Sequence, residues 1–217
     1  MSLGISSGGG GGNGADRVPV VKYDARAGRI FRLDRTQDAG GNWSSNNVEI
    51  TDGFQAIFDL ENIEVGWLNF PAGNAPEMTL VKLGQPIPPK PSDRHKQGFR
   101  LLMKLGKSIG GDVREMASNT GMSIGAMDAL HSAYEADRAA NPGKLPVVGL
   151  ESTTAHTSTG KDKDGRAQTS TNYAPVWTIV AWVPRPAELG GTAGAPNPAP
   201  LPPAPKPKAA PAVANEF

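Results

Sequence analysis

Apolar residues in this chain recur mostly at every second position, the spacing of strands with one buried face. Val18–Val21 with Tyr23, and then Arg29–Leu33, form short β-rich runs. Asp38-Ala-Gly-Gly-Asn42 is a turn cluster. Phe54, Ala56, Phe58 and Leu60 alternate with more polar neighbours, and the phase then shifts to Ile63, Val65 and Trp67. A one-residue shift near Glu61-Asn62 predicts a β-bulge that bends the strand. Met78–Leu83 reads as another short strand, and Phe99, Leu101, Met103 and Leu105 form one face of the next.

Helical spacing interrupts the strands. Asp112–Ser118 is read as a short helix. Ser123 is read as the N-cap of a longer one reaching about Ala139, with Ile124, Met127, Leu130 and Tyr134 as its apolar stripe. Asn141-Pro142-Gly143 stops it. Val147–Thr159 and Ala167–Val183 then flank Gly160-Lys-Asp-Lys-Asp-Gly165. The Asp164-Gly165 step predicts a hairpin turn, so a long, Thr-rich hairpin projects with a basic tip. The unbroken run Val176–Val183 is expected to be a central strand covered on both faces.

Five or six short strands, a helix and a final hairpin predict a mainly β fold with one or two helices. An OB-like five- to six-stranded barrel is the first choice, and a β-sandwich carrying a helix the second. Residues 1–16 hold seven glycines, and residues 184–211 hold ten of the twenty prolines. Neither composition can build a core. The expected plan is a flexible Gly-rich N-terminus (1–16), a nucleic-acid-binding body (17–185) and a disordered Pro/Ala-rich tail (186–217). No apolar run approaches the roughly 20 residues needed to span a bilayer. The first residues lack the basic and apolar regions of a secretory signal, so a cytoplasmic location is expected.

Composition excludes some chemistry. The chain has no cysteine, so disulfides, thiolate metal sites and cysteine nucleophiles are absent. His95, His131 and His156 lack metal-ligand spacing. Gly106-Lys107-Ser108 lacks the first glycine of a phosphate-binding loop, because Leu101 stands where it belongs. Asp162-Lys-Asp164-Gly165 lacks the remaining ligands of a calcium loop. No cofactor and no catalytic constellation is expected. A carboxylate site assembled in space from Glu61, Glu64 and a histidine is the enzyme alternative.

Charge is nearly balanced overall, at +1, but unevenly distributed. Arg17–Arg35 carries six bases and two acids, Lys90–Lys107 carries six bases and one acid, and Glu49–Glu77 carries six acids and no base. This predicts a positive side and a negative side. Cations also interleave with rings. That combination suits unpaired nucleic acid, whose phosphates attract cations and whose bases stack on aromatic faces. Arg29, Arg32, Arg35, Lys96, Arg100 and Lys104 are the candidate phosphate contacts. Trp43, Tyr173, Trp177 and Phe31 are the candidate stacking rings, and Trp43 stands out because its Gly/Asn/Ser surroundings offer no core. Lys161, Lys163 and Arg166 at the hairpin tip are candidate clamps.

This layout resembles that of bacteriophage single-stranded DNA-binding proteins: a barrel with basic and aromatic strands, a projecting hairpin, and a tail ending in an acid and Phe. The resemblance implies an OB fold, sequence-tolerant binding of single-stranded DNA, and a role in replication or recombination. It also implies a tail that meets replication or recombination proteins through Glu216 and Phe217. The family's tails usually carry several acids where this tip carries one. The rival reading is a structural, virion-type β protein that binds other proteins through its acidic face.

Overall fold

The computed structural model describes residues 18–161 and 163–190, with the backbone alone at Trp43. The Gly-rich start, most of the Pro-rich tail and the tip residues Glu216 and Phe217 lie outside the described residues. The elements are β1 (Val20–Asp24), β2 (Arg29–Gln37), β3 (Trp43–Glu49), β4 (Gln55–Phe58), β5 (Glu64–Asn69), β6 (Glu77–Lys82), β7 (Lys96–Leu105), β8 (Val113–Ser118), α1 (Gly121–Asp137), β9 (Lys144–Lys161) and β10 (Ala167–Pro184). The fold is mainly β with one α-helix, and its sheet curls into a half-barrel.

Strands run in the order β10-β9-β4-β7-β8-β1-β2-β3, with β5 and β6 continuing the sheet beside the first half of β7. All neighbours are antiparallel except β1 and β8. The curl carries β10 back to the β1–β2 turn, where the Tyr173 N–H donates to the Ala25 carbonyl at 2.6 Å. The Tyr23 hydroxyl donates to the Tyr173 carbonyl at 2.9 Å. The interior holds the apolar face expected of β7 (Phe99, Leu101, Met103 and Leu105) together with Phe54, Phe58, Val21 and Ile30. Met127, Leu130 and Tyr134 of α1 close one end, as their helical spacing predicts.

Several expectations change. Asp112–Ser118 is largely strand β8 rather than helix. Gly110 and Gly111, at φ 139° and 75°, turn the chain back along β7, and both flanks of β8 then find strand partners. Tertiary pairing overrides a local sequence that is not strongly β-forming. The phase shift near Glu61 is a single 3-10 turn (Leu60–Asn62) and not a bulge; β4 and β5 on its two sides pair with the same strand, β7. The cap of α1 is Thr120, whose Oγ1 accepts from the Ser123 N–H at 3.3 Å, one turn earlier than expected.

The run Val176–Val183 is not central, because β10 pairs only with β9. Register shifts at Val176/Trp177 and Ile179/Ala181 re-aim the strand. Trp177, Ile179 and Trp182 therefore all pack on the core, although Val180 is 49% exposed. Bulges, and not cover on both faces, account for the unbroken apolar run. Finally, eight strands precede the hairpin instead of five or six, because β3 and β8 were not legible and because the body is larger than a minimal barrel.

The body also continues past residue 185. Arg185 forks onto Asp59, its Nη1 and Nη2 each 2.9 Å from a carboxylate oxygen, and Nη1 also donates to the Leu189 carbonyl at 2.8 Å. Asp59 is 2% exposed and Leu189 1%. Residues 185–190 thus strap the outside of the β4–β7 seam. A buried carboxylate without such a partner would be costly, so the strap and Asp59 depend on each other.

Candidate nucleic-acid interface

Alternation decides which face each candidate joins. Ile30 is fully buried, so Arg29, Phe31, Leu33 and Arg35 of β2 point outward, and Lys22 lies opposite Phe31 on the same outer face. On β7 the outward positions are Arg100, Leu102 and Lys104. A row of partners, Leu102–Glu115–Val20–Leu33, crosses β7, β8, β1 and β2. Arg100 and Lys104 stand two residues to either side of that row on β7, and Phe31 and Arg35 do so on β2. The two basic stretches therefore share one outer face, about 14 Å apart at the usual strand spacing.

The same face is heavily neutralised. Arg100 donates from Nε to Glu64 at 2.6 Å and lies 3.7 Å from Glu115. Lys104 Nζ is 2.5 Å from Glu188, which is held below the usual carboxylate range by that hydrogen bond. Arg29 pairs with Glu49 at 2.8 Å. Arg32 points to the inner side, where Nη1 donates to the Ile109 carbonyl at 2.9 Å and Nε faces Asp34 at 3.1 Å. Arg35 and Lys96 are exposed and have no ion-pair partner among the described residues.

The run of acids shows why. Glu49 meets Arg29, Asp59 and Glu61 meet Arg185, Glu64 meets Arg100, and Glu77 lies 3.5 Å from His95. Within the acidic run only Asp52 lacks a partner among the described residues. The segregation along the chain is thus cross-strand complementarity; it does not divide the molecule into a positive and a negative side. Glu61 and Glu64 are both spent on arginines, and no histidine joins them. Among the described residues no group of His, Asp and Glu could hold a metal ion.

The rings separate too. Trp177 packs inward at 5.7 Å from Phe54, 5.8 Å from Phe58 and 6.3 Å from Tyr23, so its faces are engaged in the core. Tyr173 is half-buried at the hairpin root, with Gly28 of the β1–β2 turn against its ring carbon at 3.2 Å from an ideal Cβ. Phe31 is half-buried on the outer face beside Lys22. Trp43 starts β3, its backbone opposite Gln37. Trp67, whose place in the apolar alternation reads as core, is instead half-buried with Lys90 Nζ 5.9 Å from its ring centroid, an arrangement that spacing in the sequence does not announce.

The hairpin projects as expected. Beyond Leu150 and Trp177 its arms pair only with each other, and residues 154–171 are exposed wherever described. Thr157 and Thr171 join hydroxyls across it at 3.1 Å. Lys161, Lys163 and Arg166 stand exposed near its tip. Its root touches the β1–β2 turn through Tyr173, so the hairpin leaves the body beside Arg26 and Arg29. Among the described residues no helix is long and apolar enough to cross a membrane. No protein-family model matches the chain, and no curated protein or solved structure matches it either.

Proposed function

We propose that this chain is a non-enzymatic, sequence-tolerant binder of single-stranded DNA, acting in the cytoplasm in replication or recombination. The observation that carries the reading is the junction at Tyr173. Its backbone bond to Ala25 brings the basic-tipped hairpin against the basic β1–β2 turn, stretches almost 150 residues apart in the chain. From that junction Arg29, Phe31 and Arg35 line the outer face of β2. A strand laid there meets Arg29 and Arg35 with the Phe31 ring between them for a base, and a polar ribbon at one end.

Connectivity supports an OB-like body. Taken in order, β4 with β5, β7 and β8, then α1, then β9 and β10 repeat the plan of a five-stranded Greek-key barrel. In that plan the first strand pairs with the second and the fourth, and a helix joins the third to the fourth. Here β1 occupies the gap where the third and fifth strands would otherwise meet. Trp177 is withdrawn from the stacking set because its ring is packed; Phe31, Tyr173 and Trp43 stay in it. Lys22 joins the phosphate contacts.

The experiment is titration of the full chain with a dye-labelled dT oligomer at low salt, read by anisotropy. Saturable binding that weakens as salt rises is expected. No binding at low salt, or binding indifferent to salt, ends the proposal. A stable oligomer that ignores the oligonucleotide would favour the structural-protein reading instead.

A further inference from the structure

Beside the hairpin root, a polar cavity of about 630 Å³ opens between the β1–β2 turn, the end of β3 and the glycine-rich β7–β8 loop. That volume lies within the roughly 300–1,000 Å³ typical of sites for small organic molecules. Its lining includes donors on Arg29 and Arg32 and acceptors on Glu49 and Asp52. Arg29 is engaged with Glu49 through Nη1, and Arg32 with Ile109 through Nη1, which leaves further N–H groups on each guanidinium. Ser108 contributes an exposed hydroxyl, and Ile109 an apolar flank. Asp52 is the one acid of its run without a partner among the described residues, so its carboxylate is open to a ligand.

We propose that this cavity accepts a single guanine base from the bound strand. The inference rests on the single-stranded DNA reading and adds one selective position to an otherwise tolerant track. Guanine is singled out by its two edges. O6 and N7 are adjacent acceptors matched by an arginine fork, the commonest specific contact to a base. N1–H and N2–H are adjacent donors that one carboxylate accepts with both oxygens. Thymine lacks the paired donors, and adenine presents a donor where guanine has O6. A lone phosphate is a poor occupant, because Glu49 and Asp52 would repel it. The wall position of Gly28, which also touches Tyr173, puts the cavity where a strand running from the hairpin to β2 must pass.

Two measurements on the full chain separate this inference from its parent reading. In the first, dGMP and dTMP are titrated separately while backbone amides are followed by NMR. Saturable shifts at Asp52, Ser108 and Ile109 with dGMP and much weaker ones with dTMP support the pocket. Equal responses, or none, overturn it. In the second, a dT oligomer is compared with the same oligomer carrying one central dG. Binding about tenfold tighter to the dG oligomer, with the preference lost in Asp52→Asn, is expected from one good bidentate contact. Binding of both oligomers with equal affinity refutes the guanine pocket and leaves single-strand binding standing. Failure of both oligomers to bind refutes single-strand binding, while the nucleotide titration still decides the pocket.

Discussion

The ion pairs on the outer face set a number for the salt dependence of binding. A cation already held by a carboxylate releases no net counterion from DNA unless its pair opens. Among the proposed contacts, Lys22, Arg35, Lys96, Lys161 and Lys163 have no ion-pair partner among the described residues, whereas Arg29, Arg32, Arg100 and Lys104 do. For single strands each neutralised phosphate contributes about −0.7 to the slope of log K against log salt. Five free cations give a slope of about −3.5, which is about a hundredfold loss of affinity between 50 and 200 mM salt. Were Arg29, Arg32, Arg100 and Lys104 to act as well, the slope would be about −6 and the loss several thousandfold.

The assay is the anisotropy titration with a dT oligomer, repeated at four or more salt concentrations. A slope near −3.5 is the expected result. Glu188→Gln should steepen it by about 0.7, because it frees Lys104 for phosphate, and Glu64→Gln should steepen it by less, because Glu115 still lies 3.7 Å from Arg100. A wild-type slope near −6 would refute the reasoning that the carboxylates keep their arginines. A slope flatter than about −1 would refute the electrostatic track altogether.

Other outcomes follow from the body of the fold. Arg185→Met strands the buried Asp59 carboxylate and should lower stability by about 3–5 kcal/mol, seen as a fall of about 10 °C or more in Tm by circular dichroism; adding Asp59→Leu should restore much of it, and a single variant as stable as wild type would refute the strap. Burial, with the Asp24 charge second, pushes the Tyr23 hydroxyl up to about 12. The folded value lies above the unfolded one, so this group's contribution is complete below about pH 10 and is lost as pH rises from there to about 12. Urea melts of wild type and Tyr23→Phe across that window should converge as pH rises, and parallel curves would contradict it. Gly98→Ala would place its Cβ 2.2 Å from the Ser118 carbonyl oxygen, against backbone that cannot yield cheaply, so a large loss of folded protein is expected by thermal melt.

Period-two spacing made β1, β2, β4 to β7 and the hairpin legible, and period 3.6 did the same for α1. Most of these elements bury one face against the core, and burial is what writes a pattern into sequence; β6 and the outer half of the hairpin are the exceptions. The missed elements lack that signature. β3 is an edge strand of Ser and Asn with nothing beneath most of it. β8 buries Arg114, whose Nη2 reaches Asp34 at 2.7 Å, so an inward position reads as polar. The apolar run of β10 was misread because two bulges change its phase, and a bulge leaves no residue type of its own. Segment 186–190 was assigned to the tail for the tail's prolines, although Leu189 is buried and its carbonyl accepts from Arg185, which finds its anchor 126 positions earlier in the chain.

The candidate site was half legible for a related reason. Sequence shows which cations exist but not which are already occupied, since occupancy depends on strands that meet only after folding. Glu64 and Arg100 are 36 residues apart, and Lys104 and Glu188 are 84 apart. Once those pairs form, β7 becomes a nearly neutral wall, and the open cations lie at β1, β2, the start of β7 and the hairpin. The hairpin cannot be held by its own outer half, because an isolated two-stranded ribbon is marginal in water and its exposed arms bury almost nothing. Its direction is set at the root, by Trp177 in the core and Tyr173 against the β1–β2 turn. The two rings first read as stacking platforms therefore have a structural role: they fix the root of the ribbon beside β1 and β2, where Lys22 and Arg35 remain free of ion pairs among the described residues.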